Sequence, residues 1–497
     1  MTLGELLRAV PDARVPEAIA GRTVTGIQLD SRRVRPGDLF FALDGQRQAG
    51  RDFAAAAVAA GAIAVAGDAP DGGLPTVRVT APRRALALCA AAFWGHPDRK
   101  LRLVGITGTN GKTTTALLVA AVAEAAGETT GVIGTVGYRI GGRSLPAPFT
   151  TPEAPDLNEL LAGMVAAGAA SCTMEVSSHA LAQERVHGLS FAAAGFTHLT
   201  RDHLDFHGDM ESYFRAKRRL FVEGLAPGGA AVVNGDDPFG ARLAGDLAGA
   251  RVLKFGRGAG AQIRIAAVEG STEGTRVILD TPAGRLEVRS PLIGAHNAEN
   301  LALAAGLALS LGHGRETVAA GLSSLARVPG RLERVGRSPP AFVDYAHTDD
   351  ALARACAALR ATGARRLVLV FGCGGDRDPG KRPLMGRAAA RGADLIVATS
   401  DNPRSEDPEA ILAQILPGLE EGGASRLDVA RARAGAKGYL VEPDRAAAIA
   451  LAVRCAGTDS VVLVAGKGHE DYQILGERKI HFDDREQLAA AIAGRGA

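Results

Sequence analysis

The chain contains 497 residues, of which 46% are apolar and 22% charged, and its formal net charge is +3. Such a length exceeds one core and suggests two to four domains of about 100 to 200 residues, and the composition is that of globular protein, not of a disordered chain. With so small a charge and no Lys/Arg-dense stripe interleaved with aromatics, nucleic acid is not an expected partner; the five scattered cysteines, Cys89, Cys172, Cys356, Cys373 and Cys455, lack CxxC spacing and give neither a disulfide framework nor a zinc site.

The N-terminus, MTLGELLRAVPDARVPE, lacks the basic start and long apolar core of a signal peptide. No run approaches the roughly 18 apolar residues of a membrane span, so a cytoplasmic protein is expected. Residues 1–98 alternate short apolar strands with alanine-rich helix, in TGIQLDSR, GDLFFAL, DFAAAAVAAGAIAVAG, TVRVT and ALALCAAAFW, and predict a compact α/β unit. The polar GHPDRK reads as a linker. LRLVGITGTNGKTTTALLVAAVAEAAG then predicts strand, glycine turn and helix. This second unit, residues 99–328, closes with a helical region after GAHNAENLALAAGLALSLG, and VPGRLERVG reads as another linker. The last unit, 329–497, contains four strand-like runs, AFVDYAH, RRLVLVFGCGGDRD, ADLIVATSDNPR and DSVVLVAGKGHEDY, separated by alanine-rich helical stretches. Parallel βαβ units are the economical arrangement. Because such sheets bind ligands beyond the carboxyl ends of their strands, DYAH, GCGGDRD, SDNPR and GKGHED are expected to face one crevice.

The clearest chemistry lies in GITGTNGKTTT. A glycine turn entering a helix exposes backbone N–H groups to phosphate, so Gly108, Thr109, Asn110, Gly111, Lys112, Thr113 and Thr114 form a candidate nucleotide loop. Lys112 would neutralise β- and γ-oxygens and the Thr113 hydroxyl would reach Mg²⁺. The strict GxxxxGK[ST] pattern asks for glycine where this chain has Ile106, so the loop is a variant.

Farther on, THLTRDHLDFHGDMESYFRAKRRLF joins a His/Asp-rich loop to a helix. Met210, Tyr213, Phe214, Leu220 and Phe221 make its apolar stripe at spacings of three and four, and Lys217 falls on that stripe while Arg215, Arg218 and Arg219 can face water. A buried ammonium is costly unless it is paired or its charge is changed; snorkelling at the stripe's edge is the alternative. Glu175 in TMEVSSHAL and His203 in DHLD offer oxygen and nitrogen ligands to a divalent cation, provided that they meet the phosphate loop in space.

GTNGKTT, TTPE, EVSSHAL, RDHLDFHG with Lys217 downstream, HNAEN, GRLE, VDYAHT, GGDRD, DNPR and GKGHE occur in one order over nearly the whole chain. In this the sequence resembles the Mur ligases of peptidoglycan synthesis, and among them the UDP-N-acetylmuramoyl-L-alanyl-D-glutamate:2,6-diaminopimelate ligases. The resemblance implies an α/β fold of three domains: a UDP-nucleotide-binding domain, a central P-loop-type ATPase domain with a parallel-rich sheet, and a Rossmann-like C-terminal domain that binds the amino acid. It implies a monomer using ATP and Mg²⁺ to join meso-diaminopimelate to the D-Glu side-chain carboxylate of UDP-MurNAc-L-Ala-D-Glu through an acyl phosphate. Lys112 and Thr113 would contact phosphate and Mg²⁺, and Glu175, His203 and a carbamylated Lys217 would ligate a second metal. Asn300, Arg331 and Asp344 would hold ATP, with Asp344 on the ribose and Arg331 on the phosphates, clasped between the middle and last domains.

By the same resemblance, Ser31 and the turn Gln46, Arg47, Gln48 would meet the uridine nucleotide, and Thr150, Thr151, Ser178, Gln183 and Arg185 would continue that surface. Arg377, Asp401, Asn402, Pro403, Arg404, Gly466 and Glu470 would form the amino-acid pocket, with Glu470 on the far ammonium. HTDDAL departs from the family's usual HTP by having Asp349 in place of proline, which suggests a local turn difference. The nearest competing readings are a lysine-adding ligase, the next ligase of the pathway, or folylpolyglutamate synthetase, which has a GTNGKT-like loop; a P-loop nucleotide switch is the alternative from another class. DNPR discriminates among them, because Arg404 offers a planar, bidentate partner to the distal carboxylate that diaminopimelate has and lysine lacks.

Overall fold

The computed structural model describes residues 1–45, 49–67, 73–247 and 249–495. Among these residues the strands form sheets of four, eleven, six and two strands. The first sheet is parallel, in the order Gly26–Gln28, Asp38–Phe41, Ala64–Gly67, Thr76–Arg78. Its core of Leu3, Leu6, Leu39, Phe41, Val77 and Leu86 is closed by the helix Pro82–Phe93, which starts with proline at a position whose N–H needs no partner. GHPDRK is not a free tether. Pro97 and Asp98 are buried in a 3₁₀ turn, and Asp98 accepts the Ser190 N–H at 3.3 Å.

The eleven-stranded sheet has a parallel centre. Arg251–Gly256, Leu225–Asn234, Phe191–Phe196, Arg102–Thr107, Ser171–Glu175 and Thr130–Gly134 lie side by side. Strands such as RLVGIT are buried on both faces, as helices on each side demand. Lys112–Ala125, Ala295–Ser310 and Arg315–Ser324 pack on one face, and Ala154–Ala166, Met210–Val222 and Pro238–Asp246 on the other. Ile263–Ser271 adds one more parallel strand, and antiparallel strands then extend both edges: Gly274–Thr281 and Gly284–Ser290 on one side, Gly137–Ile140 and Arg143–Leu145 on the other. Burial alternates along GTRVILDT, as expected of strands covered on one face.

The six-stranded sheet runs Glu333–Arg337, Pro340–Asp344, Ser460–Ala465, Arg366–Phe371, Leu395–Ala398, Gly438–Val441, parallel except at the first strand. Two of these strands were not among the four runs expected. Part of VPGRLERVG, read as a linker, is the antiparallel edge strand Glu333–Arg337; GYLV is too short to announce itself. A hairpin of Tyr472–Leu475 and Arg478–His481 follows the last parallel strand. In the loop after Leu395–Ala398, Asp407 caps the helix Pro408–Glu421 and Glu406 pairs with the buried Arg382 at 2.8 Å, which accounts for two of its acids as structural. Arg445 forms a fully buried pair with Asp484 at 2.7 Å and also donates to the Ser400 and Ala465 carbonyls, and so ties two strand ends together. Removing one partner of such a pair leaves an uncompensated buried charge and costs about 3–5 kcal/mol.

No helix among the described residues is long and apolar enough to cross a membrane. Arg33–Asp156 at 2.9 Å and Arg84–Glu184 at 3.1 Å bridge the first sheet's unit to the second, and Arg334–Glu273 at 2.8 Å bridges the second to the third.

Candidate active site

The strand Arg102–Thr107 ends at the sheet centre, and its chain turns through Gly108 at φ +135° and Gly111 at φ +88° into the helix Lys112–Ala125. Both glycines are required. A Cβ on Gly108 would overlap the Thr197 hydroxyl and one on Gly111 would overlap Asn300 Oδ1, and both φ values disfavour any side chain. The Thr109 N–H is held by the His198 carbonyl at 2.8 Å. Lys112 folds back over the loop, donating to the carbonyls of Gly108 at 3.0 Å and Thr109 at 2.8 Å, and burial holds its pKa below the ordinary lysine value.

Glu175 is the last residue of Ser171–Glu175, the strand beside the loop. Its Oε1 accepts the Thr113 hydroxyl at 2.9 Å and the Thr135 N–H at 2.8 Å, and its Oε2 accepts the Thr135 hydroxyl at 3.2 Å. Lys217 comes in from the helix Met210–Val222. It is 1% exposed, donates to the Gly108 carbonyl at 2.8 Å and lies 4.6 Å from the Tyr213 ring centroid. Among the described residues no carboxylate forms an ion pair with it. Burial first, and then the neighbouring Lys112 charge, push its pKa well below the ordinary value, which favours the uncharged, nucleophilic amine. It does not snorkel. Arg215 is exposed as expected, but Arg219 is half-buried, paired with Glu184 at 2.5 Å and Glu223 at 2.9 Å.

His203 sits at φ +54° beside His179 and Tyr213, with its Nε2 3.4 Å from Asp202. Burial brings its pKa down to about 4, which leaves the imidazole neutral, the form that binds metals.

Asn110, Gly111, Thr113 and Thr114 of the loop line a cavity together with Asn300, Arg331 and Asp344. The central unit and the last unit therefore contribute to one space. Asp344 accepts the Leu332 N–H at 2.6 Å and the Ala346 N–H at 2.8 Å, and Arg331 lies over the Tyr345 ring at 4.7 Å. The helix Asp349–Arg360 closes one wall. Thr348 caps it, and Asp349 in its first turn suits the positive end of the helix dipole.

A larger cleft, of about 680 Å³, adjoins. It is lined by Thr150, Thr151, Gln183, Arg185 and His203 on one side and by Arg377, Asp401, Asn402, Arg404, Gly466 and Glu470 on the other. Arg185 donates to the Thr151 carbonyl at 2.7 Å and pairs with Glu153 at 2.9 Å. Arg404 adopts φ +53° and donates to the Gly375 carbonyl at 2.7 Å, while its backbone N–H bonds the Ile474 carbonyl at 3.1 Å. The Pro403 carbonyl abuts Gly375, where a Cβ would collide with it.

The comparisons with known proteins agree along the chain. Residues 23–94 match the Mur ligase family catalytic domain, 106–308 the Mur ligase middle domain and 330–468 the Mur ligase glutamate ligase domain. The UDP-N-acetylmuramoyl-L-alanyl-D-glutamate–2,6-diaminopimelate ligase of Solibacter usitatus (strain Ellin6076) is 48% identical over 100% of this chain and 99% of its own length. The chain belongs to the Mur ligase family. The enzyme of the same description from Geobacter metallireducens (strain ATCC 53774 / DSM 7210 / GS-15) is 46% identical over 99% of this chain and 98% of its own length. A solved structure of a UDP-N-acetylmuramoyl-L-alanyl-D-glutamate–2,6-diaminopimelate ligase superposes with a TM-score of 0.72 at 34% identity, covering 100% of both chains.

Not every expected residue reaches the cavities of this Mur ligase. Ser31 lies in a 3₁₀ turn outside both, and Gln46, Arg47 and Gln48 lie outside the described residues. Ser178 is buried with its hydroxyl 2.9 Å from His207 Nε2; Ser177 lines the cleft instead. Several residues were not expected. His198, His296, Glu299 and Arg354 line the nucleotide cavity, and Thr135 braces Glu175. For Arg354 the signal was available, four residues after Asp350 on one helix face, where the two pair at 3.1 Å.

Proposed function

We propose that this chain joins meso-2,6-diaminopimelate to the D-Glu side-chain carboxylate of UDP-MurNAc-L-Ala-D-Glu at the expense of ATP, in peptidoglycan precursor synthesis. The observation that carries this reading is the single cleft in which Arg377, Asp401, Asn402, Arg404 and Glu470 face the loop edge that holds Thr150, Thr151 and His203, next to the nucleotide cavity.

ATP lies in the smaller cavity, its phosphates on the N–H groups at the start of Lys112–Ala125 and on Lys112, with Arg331 and Asp344 from the last sheet completing the grip. Lys112 leaves its two loop carbonyls for phosphate oxygens, whose charge favours the ammonium. The dipeptide carboxylate attacks the γ-phosphorus while the bond to the β-phosphate oxygen breaks and ADP leaves. The diaminopimelate amine, deprotonated, then attacks the acyl carbon, and phosphate departs. Positioning and charge neutralisation are the main demands on the protein. Arg404 takes the distal carboxylate of diaminopimelate in a two-pronged bond, and this is what rejects lysine.

The donor set fits Mg²⁺, since Thr113 and Glu175 offer hard oxygens already held 2.9 Å apart. Glu175, His203 and Lys217 as its carbamate would hold a second ion. Bound Mg²⁺ would neutralise charge on the phosphoryl oxygens. The buried amine of Lys217, without a carboxylate partner among the described residues, is the group that CO₂ converts into an anionic oxygen ligand.

The test supplies ATP, Mg²⁺, UDP-MurNAc-L-Ala-D-Glu and diaminopimelate and follows phosphate release. Release should require both acceptors. Strong ATPase activity with either one omitted would sink the ligase reading in favour of a nucleotide switch.

A further inference from the structure

Lys467 follows the strand Ser460–Ala465 and sits between Gly466 at φ +120° and Gly468 at φ +55°. Neither neighbour has room for a side chain. A Cβ on Gly466 would stand 2.8 Å from Asp401 Oδ2, and one on Gly468 would stand 2.6 Å from Tyr345 Cβ. The Gly-Lys-Gly turn thus presses its backbone against the cleft floor and buries the lysine side chain completely, at 0% exposure.

The Lys467 ammonium meets three acceptors. Asn402 Oδ1 lies at 3.1 Å, Glu470 Oε2 at 3.3 Å and Asp401 Oδ1 at 3.8 Å, with the Tyr472 ring centroid at 5.4 Å. These bonds orient Asn402: its Oδ1 also accepts the Ile474 N–H at 3.0 Å, and its Nδ2 donates to Glu470 Oε2 at 2.9 Å. Asp401 Oδ1 is buried and, among the described residues, has no hydrogen-bond partner. Two carboxylates so enclosed repel each other, and without a cation between them one would take a proton. Arg445 also faces this pair, but Asp484 claims its charge. Arg404 and Arg377 line the same cleft, and the Tyr345 and Tyr472 phenols are pushed above the ordinary tyrosine value, chiefly by burial. Among the described residues Lys467 is the one cation paired with either acid.

We propose that Lys467 is a positioning residue for the amino-acid substrate: it fixes Asn402 and sets a cation between Asp401 and Glu470, so that Glu470 is presented as a carboxylate to the ammonium end of a diamino acid. This rests on the ligase reading given above. Glu470 is already pushed above the ordinary carboxylate value by burial and then by Asp401, with Lys467 and Asn402 pulling it back. Losing Lys467 removes the pull. Glu470 would then need a higher pH to ionise, and the acidic limb of the pH profile would move upward.

The experiment measures steady-state kinetics of the full chain and of Lys467→Met and Lys467→Arg, with ATP, Mg²⁺, UDP-MurNAc-L-Ala-D-Glu and diaminopimelate, from about pH 6 to 9. Lys467→Met should raise KM for diaminopimelate about 10- to 100-fold and leave KM for ATP within about threefold. Its acidic limb of kcat/KM for diaminopimelate should rise by about one pH unit. Lys467→Arg, which keeps the cation, should recover part of both, and in a Glu470→Gln background Lys467→Met should shift the limb no further. An acidic limb at its wild-type position in Lys467→Met, or equal rises in KM for ATP and diaminopimelate, overturns the proposal. Absence of diaminopimelate-dependent turnover in the unmodified chain would instead overturn the ligase reading on which it rests.

Discussion

Lys112 and Lys217, from different helices, donate to one carbonyl oxygen, that of Gly108, at 3.0 and 2.8 Å. Burial lowers the pKa of both lysines, and at Lys217 the neighbouring Lys112 charge adds to it. Lys217→Ala should therefore lose about 10²–10³-fold in kcat, by removing a charged ligand from the reacting centre. Added acetate or another short carboxylate should restore part of it. Undiminished kcat would remove Lys217 from the site. Lys217→Met, which replaces a buried unpaired amine by an apolar chain, should lose the same activity while raising the melting temperature by a few degrees.

Arg404→Ala should raise KM for diaminopimelate about 10- to 100-fold, the worth of a charge-assisted bond, with KM for ATP unchanged. Alanine at φ +53° carries the same backbone cost as arginine, so the substitution isolates the side chain. Equal effects on both substrates would point to misfolding.

Glu175→Gln should raise the Mg²⁺ concentration for half-maximal rate about 10-fold or more, as losing a metal ligand does. Gly111→Ala, which forces a Cβ onto Asn300 Oδ1 at φ +88°, should weaken nucleotide binding by about 1–3 kcal/mol in a titration with ADP.

How far these sites could be read from sequence varied with the physics behind them. The phosphate loop was legible because glycine at positive φ leaves a compositional mark, and Lys217 because a charge on an apolar helix stripe is anomalous at single-residue resolution. Glu333–Arg337 and Gly438–Val441 were not, since short edge strands are set by partners remote in sequence. Thr135 was missed for the same reason: its bond to Glu175 spans forty residues and two strands. Lys467 stood in a motif already singled out, yet its orientation depends on two glycine dihedrals that only the fold supplies.

Stability should fall on acidification through neutral imidazoles. Burial lowers the pKa of His198 from the ordinary 6.5 to about 3, and of His296 and His469 to about 4. The unfolded chain takes up these protons below about pH 6.5 while the folded one does not, so stability declines from there toward about pH 4. Melting temperatures measured across that range should drop steadily; His198→Gln should make the drop shallower, and an unchanged slope would contradict the assignment.

The most direct measurement offers equimolar diaminopimelate and L-lysine to one reaction containing ATP, Mg²⁺ and UDP-MurNAc-L-Ala-D-Glu, and weighs the nucleotide-linked product by mass spectrometry. The tripeptide carrying diaminopimelate should dominate, and Arg404→Ala should erode that preference. A lysine product, or no amide product while phosphate is released, would contradict the assignment of this cleft.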